Sequence, residues 1–200
     1  MSKQLWLLAG GNGAGKSTFY RTRLKKLGIP FVNADVIAKE IFPDATEKNS
    51  YLAAKITAEI RNKLLQEGRN FCFETVFSHP SKIDFVAHAK ALGYQIILVF
   101  IHLEPTALNK ARVKQRTEEG GHTVPEDKIE NRIPRLLEYI KIVLPLCDQV
   151  RALDNSSATN PFVPVFTLYN GVDQKIMTHL SPLPEWANKL LRNEHESTSS

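Results

Sequence analysis

Gln4-Leu5-Trp6-Leu7-Leu8-Ala9-Gly10-Gly11-Asn12-Gly13-Ala14-Gly15-Lys16-Ser17-Thr18 passes from a short apolar run, through a glycine-rich loop, into residues of helical composition. Gly10 to Ser17 satisfy G-x-x-x-x-G-K-[ST], and the flanking pattern supplies the strand before and the helix after that the motif requires. Glycines let the backbone curl so that successive N–H groups face an anion, and the helix behind them adds its positive end. The segment therefore predicts a nucleotide site built from Gly10, Gly11, Asn12, Gly13, Ala14, Gly15, Lys16, Ser17 and Thr18. Lys16 is expected on the β- and γ-phosphates and the Ser17 hydroxyl on Mg²⁺, with ATP as the nucleotide. A glycine turn that bound nothing would leave the lysine and hydroxyl without a use.

Outward from the loop, strand and helix signals alternate. Phe31-Val32, Phe71-Cys72-Phe73, Ile96 to Ile101 and Val150 to Leu153 read as strands. Helical patterns cover Lys16 to Leu27, the segment from Val36 to Ile41, Thr46 to Glu67, Ser81 to Leu92, Thr106 to Glu118, the residues after Pro125, and Glu185 to Leu191. In the third of these, Leu52, Ile56, Ile60 and Leu64 recur every four residues and predict the buried face. Pro134 and Pro145 are expected to kink or divide the helix after Pro125. Asn170-Gly171 between Val165 to Tyr169 and Val172 to Met177 predicts a tight hairpin. The sum is an α/β P-loop NTPase/kinase fold: a largely parallel central sheet, helices on both faces and a C-terminal hairpin. One domain over residues 1–192 and a disordered polar tail over 193–200 are expected.

The formal charge of +5 favours anionic partners, which a nucleotide and a phosphorylated second substrate satisfy as readily as nucleic acid. Basic residues concentrate around 110–135 without interleaved aromatics, which argues against a nucleic-acid groove. Cys72 and Cys147 each sit in an apolar run and read as buried reduced thiols, so a cytoplasmic protein is expected. Met1 to Ala9 is too short for a signal peptide, and no run reaches membrane-spanning length.

Phosphoryl transfer to a hydroxyl needs a carboxylate to take the proton and cations to neutralise the moving group. Asp35 follows the second strand at a helix start, where it is either that base or a helix cap. Glu74 ends the third strand, placed to bind the acceptor or to orient magnesium through water, with Thr75 beside it as a further substrate contact. Arg112 and Arg116, spaced i, i+4, precede Thr117-Glu118-Glu119-Gly120-Gly121-His122, which reads as a lid carrying catalytic arginines or as a solvated basic face. His122 is open between substrate contact, hinge neighbour and exposed side chain. Arg132 and Arg135 read as surface residues. Ile96 to Ile101 leads into His102-Leu103-Glu104, so it lacks the apolar-run-plus-Asp ending of many P-loop ATPases, which argues against a motor or helicase. Asp154-Asn155 is either a contact to the adenine or ribose or a turn.

Gly10 to Thr18, Phe31-Val32-Asn33-Ala34-Asp35, Phe73-Glu74-Thr75, Ala89 to Tyr94, Arg112-Val113 and Gly120-Gly121-His122-Thr123-Val124-Pro125 together resemble the zeta-toxin family of P-loop kinases, over roughly residues 4–157. The resemblance implies ATP- and Mg²⁺-dependent phosphorylation of a hydroxyl of UDP-N-acetylglucosamine, and a small antitoxin partner. It implies Lys16 as phosphate ligand, Asp35 as general base, Glu74 as sugar contact and Arg112 as stabiliser of the transferring group. The family's second lid arginine, about thirteen residues after the first, has no match here, and Arg116 is its candidate substitute. Two other readings differ in outcome: a kinase for another small hydroxyl compound, and a P-loop switch or nucleic-acid-binding regulator that hydrolyses slowly and phosphorylates no small molecule.

Overall fold

The computed structural model describes residues 2–42, 49–103 and 126–192, with the side chains of Ser50 and of residues 126–133 outside that description. The elements in chain order are β1 (Gln4–Ala9), α1 (Lys16–Phe19), β2 (Phe31–Val32), α2 (Ala34–Ile41), α3 (Ser50–Gln66), β3 (Phe71–Thr75), α4 (Ser81–Ala91), β4 (Gln95–His102), α5 (Glu126–Val143), β5 (Gln149–Asp154), β6 (Val163–Tyr169), β7 (Lys175–Thr178) and α6 (Glu185–Leu191). They form a seven-stranded sheet in the order β2-β3-β1-β4-β5-β6-β7. The first five strands are parallel, and β6 and β7 are added antiparallel. This is the expected α/β architecture.

The alternation along β1 builds two cores. Leu5, Leu7 and Ala9 face one side with Phe71, Phe73, Ile96, Leu98 and Phe100, under apolar side chains of α3, α4, α5 and α6. Trp6 and Leu8 face the other with Cys72, Ile97, Val99 and Ile101, against Phe19 of α1 and Leu24 just beyond it. β1 is flanked by β3 and β4, and the chain leaves β1 toward β2 but leaves β4 toward β5. The loop after β1 therefore opens at a topological switch point, where ligands bind in open α/β sheets.

Four expectations are corrected. On α3 the buried stripe is Ala53, Thr57, Arg61 and Leu65, one residue on from the expected face; Leu52 and Ile60 are exposed and Ile56 and Leu64 only flank the core. Arg61 is sheltered by the rings of Phe73 and Phe85. Helix α5 runs through Pro134 undivided, because its face carrying Leu136, Ile140 and Val143 is held in the core; Pro145 sits instead in the tight turn Leu144–Leu146 that follows. The β6–β7 hairpin closes from Tyr169 to Lys175, wider than a two-residue turn. Asn170 is otherwise engaged: its Nδ2 donates to the carbonyls of Leu144 at 2.8 Å and Cys147 at 2.7 Å. Finally, the helical segment from Lys16 to Leu27 is regular only over α1, then widens over Tyr20–Leu24 and tightens over Lys25–Leu27.

Candidate active site

The loop from Gly10 to Gly15 is folded so tightly that two glycines are obligatory. A Cβ on Gly10 would lie 2.4 Å from the Ile101 carbonyl oxygen of β4. Gly15 has φ +89°, and a Cβ there would lie 2.6 Å from Asn155 Nδ2. Asn155, directly after β5, clamps this turn: its Nδ2 donates to the Ala14 carbonyl at 2.9 Å and its Oδ1 accepts from the Phe162 N–H at 3.3 Å. Asp154 accepts from the Ser156 N–H at 2.7 Å and shapes the following turn, so this Asp-Asn pair builds the loop.

Lys16 is buried, and its Nζ donates to the carbonyls of Gly10 at 3.0 Å and Gly11 at 2.9 Å. It also lies 3.7 Å from Glu74 Oε1. The other carboxylate oxygen, Oε2, accepts from Ser17 Oγ at 2.6 Å and from Asn33 Nδ2 at 2.7 Å. Glu74 thus joins the phosphate-loop lysine, the adjacent hydroxyl and the end of β2. The carboxylate that meets the loop ends β3, the neighbour of β1. Its signal was present as the apolar run Phe71-Cys72-Phe73 before Glu74.

Asn33 is the residue that sequence reasoning missed. Its Oδ1 accepts from the Val36 N–H at 3.1 Å and caps α2, while its amide holds Glu74. Asp35 therefore is not the cap; it sits half-buried in the first turn of α2, where its charge complements the helix N-terminus. Thr75 Oγ1 accepts from the Phe77 N–H at 2.9 Å and fixes the bend after β3, at which Phe77 takes φ 59°. Arg135 is exposed, and Arg112, Arg116 and His122 lie outside the described residues.

Beside Gly15 opens a cleft of about 610 Å³ lined in part by Gly13, Thr18, Arg23, Asn155 and Phe162. Among the described residues no three His, Cys, Asp or Glu side chains gather as a metal cage. Ser17 and Glu74 nevertheless form a hard oxygen pair of the kind that suits Mg²⁺, which takes one or two protein oxygens and completes its shell with phosphate and water. A hydroxyl that donates its proton to a carboxylate keeps its lone pairs for a cation. Cys72 and Cys147 are free and buried, and burial pushes both thiols up, Cys147 to about 12. No helix among the described residues is long and apolar enough to cross a membrane.

Residues 5–137 match the family described as AAA domain. The chain belongs to that family. An uncharacterised protein of Haemophilus influenzae is 28% identical over 137 residues, covering 65% of this chain and 97% of that protein. A dephospho-CoA kinase domain-containing protein of Danio rerio is 30% identical over 100 residues, 47% of this chain and 43% of its own length. Among solved structures, one from the PezAT toxin–antitoxin system of Streptococcus pneumoniae superposes with a TM-score of 0.62 at 18% identity, covering 82% of this chain and 71% of the other. AvrRxo1-ORF1 in complex with ORF2 and ATP gives 0.69 at 17% identity over 89% of this chain and 61% of that one. The AAA domain chain thus shares the fold of these proteins.

Proposed function

We propose that this AAA domain protein is a small-molecule kinase that moves the γ-phosphoryl group of ATP to a hydroxyl of a UDP-activated amino sugar such as UDP-N-acetylglucosamine. The observation that carries the reading is the Glu74 junction, with Ser17 Oγ at 2.6 Å and Asn33 Nδ2 at 2.7 Å, because it couples the phosphate loop to the helix that bears Asp35. In this mechanism the Gly10–Thr18 backbone cradles the phosphates and Lys16 exchanges its two loop carbonyls for phosphate oxygens. The cleft beside Gly15 takes the nucleoside end of ATP. Ser17 would hold Mg²⁺, with Glu74 orienting the hydroxyl; the ion would supply charge neutralisation on the phosphates.

Asp35 accepts the acceptor's hydroxyl proton as that oxygen attacks the γ-phosphorus; the new P–O bond forms, the bond to the β–γ bridging oxygen breaks, and ADP leaves. Arg112, with Arg116, stabilises the transferring charge, and Thr75 and His122 contact the acceptor. The sugar-nucleotide acceptor rests on the resemblance of the Asn33-Ala34-Asp35 and Gly120 to Pro125 elements to zeta toxins. A small antitoxin partner belongs to the same reading, since the pneumococcal neighbour comes from a toxin–antitoxin system. The test is transfer of labelled γ-phosphate to a panel of sugar nucleotides, sugars and nucleosides by the native chain and by Lys16→Ala. Label on a hydroxyl compound with the native chain alone supports the kinase; release of inorganic phosphate with no labelled acceptor contradicts it.

A further inference from the structure

The buried stripe of α3 contains a guanidinium with no ion-pair partner among the described residues. Arg61 is 9% exposed, its Cζ stands 4.3 Å above the Phe73 ring and 5.3 Å from that of Phe85, and its Nε is buried without a hydrogen-bond partner. Lys82, in the first turn of α4, reaches the same Phe73 ring at 5.8 Å. Neither cation has a hydrogen-bonding or ion-pair partner among the described residues. Arginine and lysine are rarely buried unless paired, and two cations over one ring repel each other. The aromatic faces offset part of that cost and leave the positive charge uncancelled.

The position is informative. Phe73 pairs with Val32 of β2, the residue before Asn33, and the residue after Phe73 is Glu74. Successive strand residues face opposite sides, so the two cations stand on the α3–α4 side of the strand whose next residue holds Ser17. Helix α2, which carries Asp35, packs against α3. An acceptor lying across the carboxyl edge of β2 and β3 would reach the phosphate loop with one end and the two cations with the other.

We propose that Arg61 and Lys82 form an anion seat for a phosphate or carboxylate group of the acceptor, so that the substrate class is an anionic hydroxyl compound. This rests on the kinase reading above and deepens it: neutral sugars and nucleosides fall outside the class, whereas sugar nucleotides and sugar acids fall within it. Burial brings Arg61 down to about 10 and holds Lys82 below the usual ammonium range, with the Arg61 charge adding to the effect on Lys82. A bound anion reverses both.

The experiment is calorimetric titration of the full chain, saturated with AMP-PNP and Mg²⁺ to occupy the phosphate loop, with inorganic phosphate in one arm and malonate in the other. Native protein is expected to bind at least one saturably, and Arg61→Met and Lys82→Met to weaken it roughly tenfold to a hundredfold, the scale of a lost charge-assisted contact. AMP-PNP affinity, measured in every variant, reports folding independently. Should Arg61→Met fail that check, Lys82→Met, at a half-buried position, decides. Saturation by phosphate or by malonate tells which group the seat takes. Absence of binding to native protein, or unchanged binding in every variant that retains AMP-PNP, would overturn the seat. Binding that depends on these residues in a protein that phosphorylates no hydroxyl compound would instead remove the kinase reading and leave the seat standing.

Discussion

Replacing Asn33 separates its two jobs. Asn33→Ser keeps an oxygen able to cap α2 but is too short to hold Glu74, whereas Asn33→Ala loses both bonds. A cap is worth about 1 kcal/mol. A hydrogen bond to a charged group is worth roughly 1.5–3 kcal/mol, and a value of about 2 kcal/mol suits this bond between Asn33, 5% exposed, and the Glu74 side chain, 11% exposed. Ser is therefore expected to destabilise by about 2 kcal/mol and Ala by about 3 kcal/mol. With a urea dependence of about 2 kcal/mol per M, the unfolding midpoints fall by about 1 M and 1.5 M. Urea unfolding followed by circular dichroism measures both. Equal loss in the two variants would show that the cap contributes nothing, and losses below about 0.5 kcal/mol in both would refute the junction as a structural element.

Lys16→Ala is expected to weaken ATP binding tenfold or more, read by calorimetry, with Mg²⁺ present throughout. Gly15→Ala forces a Cβ against Asn155 Nδ2 in a left-handed backbone conformation and should cost about 1–3 kcal/mol in urea unfolding; a neutral effect would contradict the loop geometry. The Cys147 thiol, raised from 9.0 to about 12 by burial, favours the folded state fully below pH 9, and that contribution is lost as pH rises from about 9 to about 12. Stability should accordingly fall between pH 9 and 11 and fall less steeply in Cys147→Ala; identical slopes would remove the thiol as the cause.

What could be read from sequence was what is local. The phosphate loop needs only neighbouring residues, and each strand–helix unit carries its own period and stop signals, so the parallel sheet and antiparallel end were legible. What escaped depends on contacts between distant segments. Asn33 was given no role of its own because its partner Glu74 is 41 residues away. Arg61 lies off the Leu52–Leu64 repeat, and nothing local announces that Phe73 and Phe85 shelter it. Asn170-Gly171 signalled a tight turn, yet the carbonyls of Leu144 and Cys147 draw Asn170 out of it. Which strand brings its terminal carboxylate to Ser17 follows from the strand order, fixed only when the sheet assembles.

The central claim is phosphoryl transfer with Asp35 as base, and mass spectrometry tests it most directly. UDP-N-acetylglucosamine is incubated with ATP, Mg²⁺ and either native protein or Asp35→Asn, while ATP binding is confirmed for both. A product one phosphate heavier is expected with the native chain, and a rate lower by about two to four decades with Asp35→Asn. Equal product from both proteins would contradict the role of Asp35, and ATP binding with no phosphorylated product would contradict the proposed acceptor.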